Sequence, residues 1–176
     1  MSEVQAILKK DEYILAVEDS LVQARMLRNF LDQHGLANKL CPNAEEALRC
    51  AVSNPPALVI SDIVMPGKDG YQLCAMLKSH PVLKKIPVIL LTSLSDPLDI
   101  IKGLQAGADN FITKPYQDQE LFSRITDLLV NRNLNSPAIE GEVTEVVFRG
   151  GRYSFLSDQR QILNLLLSVY EAAIQR

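Results

Sequence analysis

Four short stretches of the 176-residue chain are each followed by a side chain that could take part in chemistry. These stretches and the polar residues after them are 13–17 with Glu18 and Asp19, 58–60 with Asp62, 88–91 with Thr92, and 110–113 with Lys114. The first three have the nearly continuous apolar content of strands buried on both faces. The carboxyl ends of parallel strands share one edge of a sheet, where open α/β folds hold their functional groups. We therefore expect these side chains to meet in one pocket.

The chemistry that such a pocket favours is phosphoryl binding. Three carboxylates held close together repel one another unless a cation joins them, and oxygen ligands suit Mg²⁺. Lys114 adds an ammonium group and Thr92 a hydroxyl group, both suited to phosphoryl oxygens. An aspartate is a competent nucleophile for forming an acyl phosphate, which gives Asp62 that role. Taken alone, Asp62 could equally be a helix cap or a solvated loop acid.

The segments between the strands carry helical patterns with start and stop signals. Predicted N-caps are Ser20, Asn43, Asp96 and Asp118, and the corresponding helices end near His34, Ser53, Gly107 and Val130. Another helix is predicted from about Asp69 to Ser79, and a more polar strand, suited to a sheet edge, over 36–41. Five strands alternating with five helices predict a doubly wound α/β fold with a mainly parallel sheet covered on both faces.

Each helix is expected to bury one apolar stripe. The predicted stripe of the first helix comprises Leu21, Met26, Leu27, Phe30 and Leu31, and that of the third comprises Leu73, Met76 and Leu77.

Taken together, the motifs resemble a known family. Glu18-Asp19, the segment 62–70 (Asp-Ile-Val-Met-Pro-Gly-Lys-Asp-Gly), Thr92-Ser93 and Lys114-Pro115 are similar, in type and order, to the motifs of the receiver domain of two-component response regulators. The resemblance covers residues 12–131. It implies a flavodoxin-like five-stranded parallel sheet with strand order 2-1-3-4-5.

The resemblance also implies a role for each site residue. Asp62 would accept a phosphoryl group from a phosphohistidine on a sensor histidine kinase or phosphotransfer protein. Mg²⁺ would be held by Glu18, Asp19, Asp62 and the backbone carbonyl of Val64. The acid pair is Glu-Asp rather than the usual Asp-Asp, which should shift the metal geometry slightly without abolishing binding.

The remaining implied roles concern switching. Thr92 would turn to bind the phosphoryl oxygens, and Lys114 would pair with the phosphate and precede a cis bond to Pro115. Phe111 occupies the aromatic switch position of the family, or is simply a core aromatic residue. The chain would thus be a phosphoryl-accepting regulator rather than an enzyme.

Two rival chemistries fit the residues less well. Phosphatases of the haloacid dehalogenase type also use an Asp nucleophile, but their second acid comes two residues later, where this chain has Val64. Without that general acid/base, no residue would support rapid turnover. A flavin-binding sheet of this topology would need a phosphate-binding loop after the first strand. Glu18 and Asp19 would instead repel a phosphate.

The segment after residue 131 has a different composition. Residues 132–142 resemble a linker, and residues 143–176 predict a β-hairpin (143–148 and 152–156) followed by a strongly apolar helix that Ser157 would cap. This hairpin and helix would connect the receiver to a longer protein, with a homodimer formed through the helix. In the alternative, the chain is a stand-alone regulator that acts by direct protein–protein binding.

Composition excludes several other classes of protein. The net charge of −3 gives no sign of a nucleic-acid partner. No apolar run approaches the ~20 residues that span a bilayer, and the first residues lack the basic region of a signal peptide, so a cytoplasmic location is expected. Cys41, Cys50 and Cys74 lack metal-ligand spacing and are expected to be reduced, packed thiols.

Overall fold

The computed structural model describes residues 7–93, 97–132, 143–148 and 151–156. Its strands are β1 (Ile14–Val17), β2 (Asn38–Cys41), β3 (Leu58–Asp62), β4 (Val88–Thr92), β5 (Asn110–Thr113), β6 (Val143–Phe148) and β7 (Gly151–Leu156). Its helices are α1 (Leu21–Gln33), α2 (Ala44–Ser53), α3 (Gly70–Ser79), α4 (Pro97–Ala106) and α5 (Asp118–Asn131).

The first five strands form one parallel sheet in the order β2-β1-β3-β4-β5, which confirms the predicted topology. The weakly apolar β2 lies at an edge, as its polar sequence indicates. Among the described residues, no helix is long and apolar enough to cross a bilayer.

Strand residues alternate between two hydrophobic cores, one on each face of the sheet. In β1, Ile14 and Ala16 pack with α1 and α5, whereas Leu15 and Val17 pack with α2, α3 and α4. Successive strand side chains point to opposite faces, so a strand covered on both faces must be apolar throughout. This explains why the apolar runs predicted the central strands.

Most of the predicted helix starts are confirmed. Ser20 accepts a hydrogen bond from the Gln23 amide, and Asn43 accepts one from the Glu46 amide. Asp69 forms a reciprocal capping box with Gln72. Helix α4 begins with Pro97, and its predicted cap, Asp96, lies outside the described residues.

The prediction that Asp118 caps α5 is wrong. Asp118 is the first residue of that helix, and the cap position is held by Gln117, which makes no capping bond with its side chain. A carboxylate in the first turn still interacts favourably with the helix dipole, so the same residue type is favoured at either position.

The predicted stripe of α1 is partly wrong. Leu27, Phe30 and Leu31 are buried, together with Ala24, but Leu21 is 77% exposed and Met26 is 66% exposed. Leu21 lies in the first turn of the helix, and Met26 falls outside the row of buried positions spaced three and four residues apart. In α3, Leu73 and Leu77 are buried and Met76 packs against the same core.

The structure also contains the predicted hairpin. Strands β6 and β7 pair antiparallel, from Val143 opposite Leu156 to Phe148 opposite Gly151. The predicted linker falls almost entirely outside the described residues, as does the predicted helix from Ser157 onwards.

Candidate functional site

Three carboxylates meet at the carboxyl edge of the sheet. Glu18 and Asp19 follow β1, and Asp62 is the last residue of the neighbouring strand β3. One oxygen from each lies within 4.8 Å of the others, and no other group of three or more metal-ligating side chains this tight occurs among the described residues. Glu18 and Asp62 are buried, whereas Asp19 is exposed. The parallel sheet thus brings together the acids that the sequence analysis singled out.

Lys114, the residue directly after β5, also reaches this cluster. Its Nζ atom lies 3.0 Å from Oδ2 of Asp62 and 3.5 Å from Oε2 of Glu18. It also donates a hydrogen bond of 2.7 Å to Oε1 of Gln23. Gln23 was missed by the sequence analysis. Its signal was its position in the first turn of α1, the helix that follows the acid pair.

The carboxylate of Asp62 has two unequal oxygens. Oδ1 accepts a 2.7 Å hydrogen bond from the Ile63 amide, while Oδ2 faces the Lys114 ammonium. The loop after Asp62 folds back tightly, and the Gly70 amide donates to the Ile63 carbonyl. A Cβ atom at Gly70 would lie less than 3.0 Å from the Asp62 carbonyl oxygen. Glycine is therefore required where the loop contacts the end of β3.

Electrostatics indicate an excess of negative charge. Burial raises the pKa of Glu18, and the neighbouring Asp62 and Asp19 carboxylates add to the rise. The Ser20 amide, which donates to Glu18, and the Lys114 ammonium act in the opposite direction. Three carboxylates around one ammonium leave room for a further positive charge, and their hard oxygen donors suit a cation such as Mg²⁺.

The remaining predicted residues surround this cluster. Thr92 is buried at the end of β4, and its carbonyl accepts a 2.7 Å hydrogen bond from the Lys114 amide. The peptide bond between Lys114 and Pro115 is cis, as the resemblance implies. Val64 lies in the loop after β3 with its side chain 75% exposed.

Two aromatic residues connect the site to α4. Phe111, in β5, is fully buried, and its ring packs directly on Gly103. Tyr71, in α3, donates a 3.1 Å hydrogen bond to the Asp99 carbonyl. Burial raises the pKa of Tyr71, against the effect of a hydrogen bond with Thr92. Sequence analysis missed Tyr71, because an aromatic residue in the first turn of a helix predicts only packing.

Comparison with known families identifies the family to which this chain belongs. The family described as "Response regulator receiver domain" matches residues 14–126. The chain belongs to the response regulator receiver family. The match covers all five parallel strands and each predicted site residue.

The chain is similar to part of several curated regulators. It is 36% identical over 138 residues to a probable transcriptional regulator, ycf27, of Cyanophora paradoxa, covering 77% of this chain and 56% of that protein. It is 36% identical over 115 residues to the response regulator PleD of Caulobacter vibrioides, covering 65% of this chain and 25% of PleD. The chain therefore spans between a quarter and just over half of these two relatives.

A solved structure shows the same fold. The receiver domain of a signal transduction histidine kinase from Syntrophus aciditrophicus aligns with a TM-score of 0.67 and 45% identity. The alignment covers 73% of this chain and 96% of that domain. The rest of this chain lies outside that alignment.

Proposed function

We propose that the receiver accepts a phosphoryl group on Oδ2 of Asp62 from a phosphohistidine of a sensor histidine kinase or phosphotransfer protein. The observation that carries the proposal is the 3.0 Å contact between Asp62 Oδ2 and Lys114 Nζ beside two further carboxylates. An ammonium group in this position would face a phosphoryl group bound to Asp62 and offset its charge.

The acidic cluster would hold Mg²⁺ through Glu18, Asp19, Asp62 and the backbone carbonyl of Val64. Support comes from the donor set, because closely spaced carboxylates bind hard divalent cations, and from the raised pKa of Glu18, which reflects burial beside like charges. When bound, the ion would supply positive charge to the phosphoryl oxygens.

The chain's own residues would position the reaction. The Ile63 amide holds Oδ1 of Asp62, so Oδ2, which faces Lys114, would form the bond to phosphorus while the bond between phosphorus and the histidine nitrogen breaks. The Lys114 ammonium and the Thr92 hydroxyl would then bind phosphoryl oxygens. Two residues beyond Asp62, Val64 offers no general acid or base. The expected activity is therefore acceptance and slow loss of the group rather than turnover.

Phosphorylation would change the balance of contacts around Lys114 and Thr92. The phosphoryl group carries about 1.5 to 2 negative charges in place of the single charge of the carboxylate, and this added charge would draw the Lys114 ammonium away from Gln23. Thr92 would turn toward the phosphoryl group, and Phe111 would repack against α4. Couplings between sites are typically worth about 1–3 kcal/mol, which can bias the surface formed by α4, β5 and α5 between two arrangements.

A partner surface lies beside the acceptor. Leu21, Val22 and Met26 expose apolar side chains on α1, although soluble surfaces more often place polar residues there. A neighbouring groove of about 620 Å³ runs from Met26 and Phe30 to Tyr116, after β5. An apolar helix face could dock in such a groove and bring its histidine to Asp62.

Phosphorylation of the intact chain by a small phosphoryl donor, such as acetyl phosphate, tests the acceptor role. With Mg²⁺, intact-mass spectrometry should show one added phosphoryl group in the wild type and none in Asp62→Asn. Asp69→Asn is the matched control, because asparagine also caps helices well and α3 should be retained. Equal phosphorylation of Asp62→Asn, or no dependence on Mg²⁺ in the wild type, would refute the proposal.

For the output, we propose that residues 12–131 form the receiver, residues 132–142 a linker and residues 143–176 a connector that dimerises through its terminal helix. Support comes from the backbone of β7, which lies close to α4, on the surface expected to switch. Sedimentation of the full chain, with and without an acyl-phosphate mimic, tests this. An unchanged dimer population in both states would instead favour the stand-alone regulator.

A further inference from the structure

Two cysteines lie together on the far side of β1 from the acceptor aspartate. Cys41 is the last residue of β2, and Cys50 is in α2, which packs on that strand. The Cys41 thiol donates a hydrogen bond of 3.5 Å to the Cys50 sulfur. Sulfur atoms in a disulfide are about 2.05 Å apart, so the two sulfurs, already in contact, need to approach by roughly a further 1.5 Å to bond.

The two thiols have different surroundings. Cys41 is 2% exposed, and burial raises its pKa. Cys50 is half-buried and lines a surface pocket of about 590 Å³ that also contains Lys39 and Arg49. The Lys39 ammonium lies near the Cys50 thiol, and this proximity raises the pKa of Lys39. A thiol beside an ammonium at a pocket wall is accessible to a small anionic oxidant, whereas a buried thiol is not.

We propose that Cys41 and Cys50 form a redox-active pair, in which Cys50 reacts first with the oxidant and Cys41 closes the disulfide. The oxidant is a small disulfide of the glutathione class. The two cations of the pocket, Lys39 and Arg49, suit the carboxylates of such a molecule.

The chemistry balances in two exchange steps. The Cys50 thiolate attacks one sulfur of the oxidant and forms a mixed disulfide, releasing one thiolate. Cys41 then gives up its proton and attacks the Cys50 sulfur, releasing the second thiolate, which takes that proton. Two protein thiols are oxidised and one small disulfide is reduced to two thiols. The proposal does not rest on phosphoryl transfer, because neither Asp62 nor Lys114 takes part.

The third cysteine provides an internal control. Cys74 is fully buried in α3, and its thiol donates a 3.3 Å hydrogen bond to the Ala106 carbonyl. Burial raises its pKa to about 12, which disfavours the reactive thiolate. It should therefore remain a thiol under conditions that oxidise the pair.

The test treats the full-length reduced chain with oxidised glutathione over a range of glutathione ratios. Free thiols are then alkylated under denaturing conditions and located by peptide mass spectrometry. The expected product is a peptide pair joined through Cys41 and Cys50, with Cys74 alkylated. Cys41→Ser should stop at one glutathione adduct on Cys50, Cys50→Ser should lose all modification, and Cys74→Ser should behave as the wild type.

Three results would overturn the proposal: thiols at 41 and 50 that survive oxidising ratios, a stable adduct on Cys50 in the wild type without closure, or oxidation of Cys74 at a similar rate. Cys41→Ala serves as a second variant if serine at this buried position prevents folding, and it should trap the same adduct. Circular dichroism of each variant establishes that the compared chains are folded.

Discussion

Gly103→Ala places a methyl group against Phe111, the residue at the switch position. A Cβ atom at Gly103 would lie within 3.0 Å of Cε1 and Cζ of the Phe111 ring and 3.3 Å from Cδ1. Carbon atoms in contact are normally about 3.5–4.0 Å apart. The overlap falls on a ring that is only 1% exposed, so the ring cannot move without disturbing the core.

Two opposing effects set the expected change in the free energy of unfolding. In a helix interior, alanine is about 0.8–1.0 kcal/mol more favourable than glycine. Overpacking a well-filled core typically costs about 1–3 kcal/mol. The overlap involves two ring atoms and a fully enclosed ring, which argues for the upper part of that range. We therefore expect Gly103→Ala to lower the free energy of unfolding by about 1–2 kcal/mol.

Equilibrium unfolding in urea, as a double-mutant cycle with Phe111→Leu, tests this. Removing the ring should remove the clash, so the alanine should become neutral or stabilising in that background. The coupling between the two substitutions should then equal the overpacking cost, about 2–3 kcal/mol. Lys102→Ala, on the exposed side of α4, is the control for alanine in this helix. Undiminished stability of Gly103→Ala, with additive effects of Phe111→Leu, would refute the packing argument.

Three further predictions follow from other parts of the structure. Gly70→Ala should lower the midpoint of urea unfolding and also phosphorylation at Asp62, because its Cβ meets the backbone that positions that residue; unchanged phosphorylation would contradict this. Glu18→Gln should raise the melting temperature at neutral pH without Mg²⁺, since burial beside like charges raises the pKa of Glu18. The same variant should abolish most of the stabilisation by Mg²⁺; equal Mg²⁺ stabilisation in both proteins would be the contrary result. Burial alone would raise the pKa of Glu12, but the Lys9 amide and the Arg132 guanidinium hold it below its ordinary value of 4.5. The stability that ionised Glu12 contributes is present above pH 4.5 and is lost as the pH falls through the lower folded pKa. Glu12→Gln should therefore weaken the fall in the free energy of unfolding at acid pH, measured by chemical unfolding. An unaltered fall would show that the contact between Glu12 and Arg132 does not contribute.

The sequence predicted the sheet well because its central strands are covered on both faces. A buried strand such as β4 must be apolar at every position, and this pattern needs no tertiary information to detect. The cap residues Ser20 and Asn43 were predictable for a similar reason, since they hydrogen-bond within their own turn.

The features that the sequence did not predict depend on which surfaces are covered in the folded protein. Leu21 and Met26 are apolar residues of α1, yet among the described residues no element packs over them. Gln23 is an ordinary polar residue until the fold brings Lys114 to it across a separation of 91 residues. Such pairings form only when strands that are distant in sequence join one sheet, so local sequence patterns do not predict them.

The hydrogen bond from the Ile63 amide orients the Asp62 carboxylate before a phosphoryl donor binds. The carboxylate of Asp62 cannot exchange its two oxygens by rotating without breaking that bond. In the folded protein one oxygen therefore faces Lys114 and the pocket before any phosphoryl donor arrives. A phosphoryl donor then has only its own orientation to adjust, because the accepting oxygen is already held in place.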